Sequence, residues 1–415
     1  MERQPIEQAA PAPAFTTHAA AGRPLVLALA IGFLLYFAFG ISRVGAAILI
    51  VSGNHPALEL GVVMAMYSLA PLVMAIHAGA AATRFGPRWM MIGGSAMLLG
   101  GAALQAVPGP YALLFPGALL CGVGFTALQI SLQLHIGVCS APDARVRNFG
   151  YFSLTQSAAT SLAAMLGGYL SGAWGTRTPL QAAAIAAAVL IALVATSRHA
   201  FRASTAGAAA PAGGARDRAI VRLIGQRDVR KVLVAGALLA MAWDLHTFIV
   251  PFISRSVRLS PEQIGIVLGL FSCATFAIRL CLPGLARWVS SVWVIRAALI
   301  VVGLCFAVYP WRTSYATMGV LAVFLGLALG TAQPNLLALV HDVAAERDVG
   351  RLIGLRTILL NVGASLWPLC FGALGSPVVG FVLPAAGMIF LLAGLRFSLT
   401  PSHGKPPPEH GTQGA

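Results

Sequence analysis

The segment LLAMAWDLHTFIVP, Leu238 to Pro251, sets an aspartate and a histidine two residues apart in an otherwise apolar run. Side by side, these two groups are raw material for acid and base chemistry. On a helix, however, two residues correspond to about 200° of rotation, so Asp244 and His246 point away from each other. The stripe that carries Asp244 continues through Thr247, Phe248 and Pro251. Asp244 is therefore expected to face a cavity, and His246 to be a packed histidine bonded to a neighbouring helix.

The elements that must position Asp244 follow from composition. The chain has 415 residues, 58% hydrophobic and 9% charged, with a mean hydropathy of +0.84, outside the range of soluble domains. Stretches of about 20 apolar residues, the length that crosses a bilayer core, recur near 25–48, 57–78, 89–107, 111–137, 149–172, 179–197, 232–253, 263–284, 291–310, 315–340, 353–374 and 377–398. The expected fold class is an all-α polytopic membrane protein with twelve transmembrane helices. The net charge of +15 is spread over short loops and not gathered into an aromatic-lined patch, which excludes nucleic acid as a partner. With both termini cytoplasmic, that side holds Arg23, Arg84, Arg88, Arg145, Arg147, the 198–231 cluster, Arg287, Arg347, Arg351 and Lys405. The positive-inside rule then places the chain in the inner (plasma) membrane with cytoplasmic termini.

An Ala, Gly and Pro-rich segment, ASTAGAAAPAGGARDR at Ala203 to Arg218, divides the chain in two. Adding 204 to a residue number overlays the halves without a gap. GVVMAMYS at Gly61 meets GIVLGLFS at Gly265, Gln129 meets Gln333, Arg147 meets Arg351, and Ser161 and Gly168 meet Ser365 and Gly372. Parallel repeats of this kind are a transporter architecture, with the substrate site near mid-membrane between the halves. The expected organisation is a disordered cytoplasmic tail (1–22), a six-helix bundle (23–198), a cytoplasmic linker with a possible interfacial helix (199–230), a second six-helix bundle (231–400) and a disordered tail (401–415).

GAAATRFGPR, Gly79 to Arg88, resembles the most specific mark of the major facilitator superfamily, the loop between its second and third helices. Gly79, Arg84, Gly86 and Arg88 match that pattern, and Thr83 stands where the family has an acid. The resemblance implies two pseudo-symmetric six-helix bundles, alternating access, and a cytoplasmic gating role for these four residues, with the charge lock weakened at Thr83. AAMLGG, Ala163 to Gly168, keeps the Gly-Gly but not the Gly-Pro of the drug-antiporter mark in the fifth span.

The resemblance also implies that the first and seventh helices line the central cavity. The 204 offset sets LLYFAFGISR over LLAMAWDLHT, so Asp244 overlies Gly40 and Arg43 overlies Thr247. Arg43 and Asp244 are then expected to face each other across the cavity with about one turn of height difference. A charge inside a bilayer costs about 2.5–3.5 kcal/mol on insertion scales, and Asp244 is the one acid well inside a span. Two roles are open for it: a proton carrier whose pairing with Arg43 is broken during transport, or a permanent ion pair that only joins the helices. Tyr36, Gln129, Gln133, Trp243, Gln333 and Asn335 are further substrate-binding candidates, amides and rings at mid-membrane.

The expected function is secondary active transport of a small organic molecule, proton-coupled, with efflux of an amphipathic or anionic drug or siderophore-like compound ahead of uptake symport of an organic anion. The partners are substrate, protons and the lipid bilayer, and the fold works as a monomer. An intramembrane enzyme or a transporter-like receptor is the alternative of a different class. The enzyme is disfavoured because the nine histidines are scattered, and the lack of a phosphate-cradling Gly-Lys-Ser/Thr loop speaks against direct ATP hydrolysis as the driving force. No cofactor and no metal are implied, and the six cysteines lack the spacing of a metal or redox motif.

Overall fold

The computed structural model describes residues 22–140, 144–197, 222–285, 289–311, 314–343, 346–375 and 377–399. These residues form α1 (Gly22–Ser52), α2 (Ala57–Ala106), α3 (Leu114–Cys139), α4 (Arg145–Trp174), α5 (Thr178–Thr196), α6 (Arg227–Val257), α7 (Pro261–Leu285), α8 (Ser291–Val308), α9 (Tyr315–Val343), α10 (Glu346–Leu374) and α11 (Leu383–Arg396). A 3-10 turn at Tyr111–Leu113 leads into α3, and a π-helical turn at Val378–Val382 leads into α11. Among the described residues, ten helices are long and apolar enough to cross a membrane, and Ala57–Leu69 is a shorter apolar helix. With every backbone amide bonded within its own segment, such helices suit hydrocarbon, and the chain is a multi-pass membrane protein.

Helical backbone is recorded through the expected loop at Gly79 to Arg88, within α2. Its Ala-rich start favours helical backbone. Yet α2 is not a straight rod. Tyr67 Oη donates to Gln105 Oε1 at 2.9 Å across 38 residues of sequence, which on a straight helix would lie about 57 Å apart. The element therefore doubles back and supplies two limbs, those expected as the second and third spans. Gly79, Arg84 and Gly86 fall where side chains lie outside the described residues. Arg88 rests its guanidinium 5.8 Å from the Trp89 ring centroid.

Two other boundaries also shift. α4 begins at Arg145 and α10 at Glu346, several residues before the apolar runs, because a helix that leaves the bilayer continues readily through polar residues. Asn148 Nδ2 donates to Ser140 Oγ at 2.8 Å, which ties the start of α4 to the end of α3. Residues 1–21 and 401–415 of the expected tails and 199–221 of the expected linker lie outside the described residues. Residues 222–225 are helical.

α1 to α5 form one half and α6 to α11 the other. They meet by backbone contact at the end opposite the termini. A Cβ added to Gly168 of α4 would lie 2.5 Å from Gly265 Cα of α7, and one added to Gly61 of α2 would lie 3.0 Å from Gly372 Cα of α10. These are the same contact made twice, since 61 and 265, and 168 and 372, are mates under the 204 offset. Small residues at such crossings let two helices approach until dispersion holds them, the main association force where lipid removes the hydrophobic one. Arg255 of α6 adds a bond across the halves, Nη2 donating to Ile50 O at 3.0 Å.

Gly265→Leu, whose side chain would have to displace backbone, is expected to lower the thermal midpoint of the detergent-purified protein by several degrees. Gly100→Ala, where an added Cβ meets nothing within 4 Å, should leave it unchanged, and an equal response of the two variants would remove the role assigned to the contact.

Candidate functional site

Arg43 of α1 and Asp244 of α6 meet between the halves, with Arg43 Nη2 3.7 Å from Asp244 Oδ1. At about 1.5 Å per residue, Arg43 lies about 14 Å below the Ser52 end of α1 and Asp244 about 20 Å below the Val257 end of α6. The long arginine side chain bridges that single turn. The distance is within ion-pair range but beyond a direct hydrogen bond. The pair is also lopsided: the Arg43 side chain is 22% exposed and that of Asp244 9%. Arg43 Nε is buried without a hydrogen-bond partner among the described residues. Thus the cation reaches open space while the carboxylate is nearly hidden behind it.

Why Arg43 points this way is set one residue earlier. Ser42 Oγ donates to Gln105 Oε1 at 2.8 Å and lies 2.7 Å from Tyr67 Oη, so one hydroxyl is fastened to both limbs of α2. Ser42 is fully buried, and with that side of α1 anchored, Arg43 is turned about 100° round the helix toward α6. Nothing in the sequence singles out this triad, because its members are lone polar residues in three separate apolar runs.

His246 is completely buried, 3.3 Å through Nδ1 from Tyr309 Oη just beyond α8 and packed 4.6 Å from the Phe271 ring. It takes no part in the pair. Trp243 packs edge-on to Phe271 at 4.7 Å. Tyr36 is buried with its ring edge-on to Phe125 at 5.2 Å, and its hydroxyl lacks a hydrogen-bond partner among the described residues. Of the amides, Gln129 is half-buried and Gln133 exposed on α3, and Gln333 is exposed on α9. Asn335 Nδ2 donates to Thr331 O of its own helix at 2.8 Å. The structure therefore brings together Arg43 and Asp244 and leaves the amides on the walls of the two halves.

Two arginines inside spans escaped a search aimed at acids. Arg356 of α10 is buried and donates through Nη2 to Gln333 Oε1 at 2.8 Å. Arg279 of α7 crosses to the other half, where Nη1 donates to Ser157 Oγ at 2.6 Å and to Ser153 O at 3.2 Å. Counting every ionisable residue within the apolar runs would have found both.

The Major Facilitator Superfamily profile matches residues 28–227 and 232–414 of this chain. The chain is 27% identical over 318 residues to solute carrier family 67 member A1 of Homo sapiens, spanning 71% of this chain and 72% of that protein. Its fold is similar to the crystal structure of the nucleoside transporter NupG, with a TM-score of 0.73, 14% identity, and coverage of 90% of this chain and 100% of that one. It is likewise similar to the peptide transporter POT in complex with sulfate, with a TM-score of 0.69, 16% identity, and coverage of 89% and 93%.

Removing one member of a buried pair strands the other, which typically costs roughly 3–5 kcal/mol. The 22% exposure of Arg43 places this pair at or below the low end of that range. Asp244→Asn and Arg43→Gln are each expected to lower stability by about 2 kcal/mol, and the double variant by clearly less than their sum. Additive losses in thermal or denaturant unfolding would show that the two side chains do not interact.

Proposed function

Because the chain belongs to the Major Facilitator Superfamily and is a secondary membrane transporter of small molecules, we propose that its cargo is an organic anion, moved together with a proton through the Arg43–Asp244 pair. The observation that carries this reading is the lopsided ion pair between the halves, 3.7 Å long with the cation the more exposed member. A substrate carboxylate that takes Arg43 leaves Asp244 a buried carboxylate without its cation, which burial strongly disfavours. Protonation of Asp244 removes that penalty. Substrate and proton therefore help each other to bind, each by detaching Asp244 from Arg43.

This linkage describes symport. Efflux by antiport, the direction favoured by the sequence, needs a substrate that competes with the proton, such as a cation drawn to Asp244 itself. The retained Gly167 and Gly168 of the antiporter mark are what speak for that second reading. In this reading access alternates, with the two expected bundles, 23–198 and 231–400, moving as two bodies; the paired glycine contacts support it. The form described is closed at the end opposite the termini, while Gln133 and Gln333 are exposed farther toward the terminal end. The arginine-rich loops support a cytoplasmic terminal side, and the reading takes the plasma membrane as the location and a single chain as the working unit.

In proteoliposomes with an alkaline interior, a labelled organic anion is expected to accumulate, and faster as the external pH falls, because external protons occupy Asp244. Asp244→Asn, a fixed mimic of the protonated state, should retain anion exchange but lose accumulation driven by the pH gradient. A fully coupled Asp244→Asn protein with an unchanged pH profile would rule out the role given to Asp244, and substrate-dependent proton movement in the opposite sense would establish antiport.

A further inference from the structure

Arg43, Arg279, Arg296 and Arg356 are among the arginines within apolar spans, while Asp244 is the one acid well inside a span. Asp244 answers Arg43, and Arg296 rests 4.9 Å over the Trp293 ring of its own helix. The acid nearest to Arg279 on its own helix is Glu262, 17 residues away, or about 25 Å. Among the described residues, no carboxylate forms an ion pair with Arg279 or Arg356. Arg279 is about 9 Å from the Leu285 end of its helix, close enough to extend its head to the membrane surface. It instead reaches across to α4, bonded to Ser157 Oγ and Ser153 O, with Nε buried and unpartnered.

Tyr36 of α1 stands near that bond: its ring lies 6.0 Å from the ring of Phe152, the residue before Ser153 in α4. Its hydroxyl is buried and has no hydrogen-bond partner among the described residues. An unused donor beside an uncompensated cation, contributed by opposite halves, is the equipment of an anion site. Tyr36 and Arg43 are two turns apart on one face of α1, a separation of about 10 Å.

Resting on the organic-anion reading above, we propose that Arg279 and Tyr36 form a second anion-binding pole, so that the substrate class is an organic dianion with two acidic groups roughly 10 Å apart, the rise from Arg43 to Tyr36 along α1, one on Arg43 and the other at the Tyr36 and Arg279 pole. Two poles on opposite halves also give the dianion a means of drawing the halves together. A monoanion fills one pole and leaves the other unanswered.

The test measures Kd by ligand-dependent thermal stabilisation of the purified full-length protein, with α,ω-dicarboxylates from succinate to sebacate and monocarboxylates of equal carbon number. Binding is expected to be tightest for the dicarboxylates whose charges lie near 10 Å apart, about 10-fold tighter than the matched monocarboxylate. In Arg279→Gln that ratio should fall to near one, and in Tyr36→Phe by about 3-fold, so the second variant stands in if the first fails to fold. A wild-type ratio near one, with monocarboxylate binding still dependent on Arg43, would overturn the second pole and leave the anion reading intact. A ratio unchanged in both variants would overturn it too. No stabilisation by any carboxylate would overturn both.

Discussion

The cost of keeping a carboxylate in hydrocarbon governs this structure. Asp244 can remain there only by facing Arg43 or by carrying a proton, and both states leave the rest of α6 free to be as apolar as its neighbours. Because Arg43 belongs to the opposite half, the charge balance of the site and the relative position of the two halves are one variable. The Ser42, Tyr67 and Gln105 triad makes this coupling rigid on one side. It fixes the rotation of α1, so a change at the pair is transmitted to a whole bundle and not absorbed by a twist of one helix.

The duplication supplies symmetry where the halves must move and loses it where they must recognise. Glycines 61, 168, 265 and 372 are equivalent in pairs and build equivalent contacts. None of the ionisable groups at the site has an ionisable mate: Asp244 overlies Gly40, Arg43 overlies Thr247, Arg279 overlies Ala75 and Arg356 overlies Phe152. The seam between the halves is thus symmetric, and the ionisable lining beside it is not.

Much of this was legible in the sequence because membrane insertion imposes long-range rules on composition. Apolar runs of fixed length gave the spans, and the 204 offset gave the halves. With the family resemblance setting the first and seventh helices at the cavity, the offset also paired Asp244 with Arg43 across two hundred residues, through the stripe each occupies on its helix. Helical rotation alone separated His246 from Asp244. The doubling of α2 was legible as two apolar runs; how far helical backbone continues into the turn between them was not, because Ala-rich backbone favours helix. The triad that orients Arg43 was hidden as well, since three-dimensional proximity, not spacing, makes it a unit. Arg279 was overlooked for another reason: an arginine within two turns of a helix end reads as a surface residue until its hydrogen bonds are seen to run inward.

The paired glycine crossings bear on thermodynamics as well as on shape. Where backbone meets backbone, no long side chain is frozen as the contact forms, so the entropic toll that side-chain ordering normally exacts is absent. Making and breaking the seam is therefore inexpensive in either direction, and the two faces of the protein can lie close together in free energy. Reversing a population from 1:99 to 99:1 takes about 5.5 kcal/mol, and a seam that freezes few side chains adds little to that sum. A seam built of interlocked leucines would add the ordering of every side chain in it.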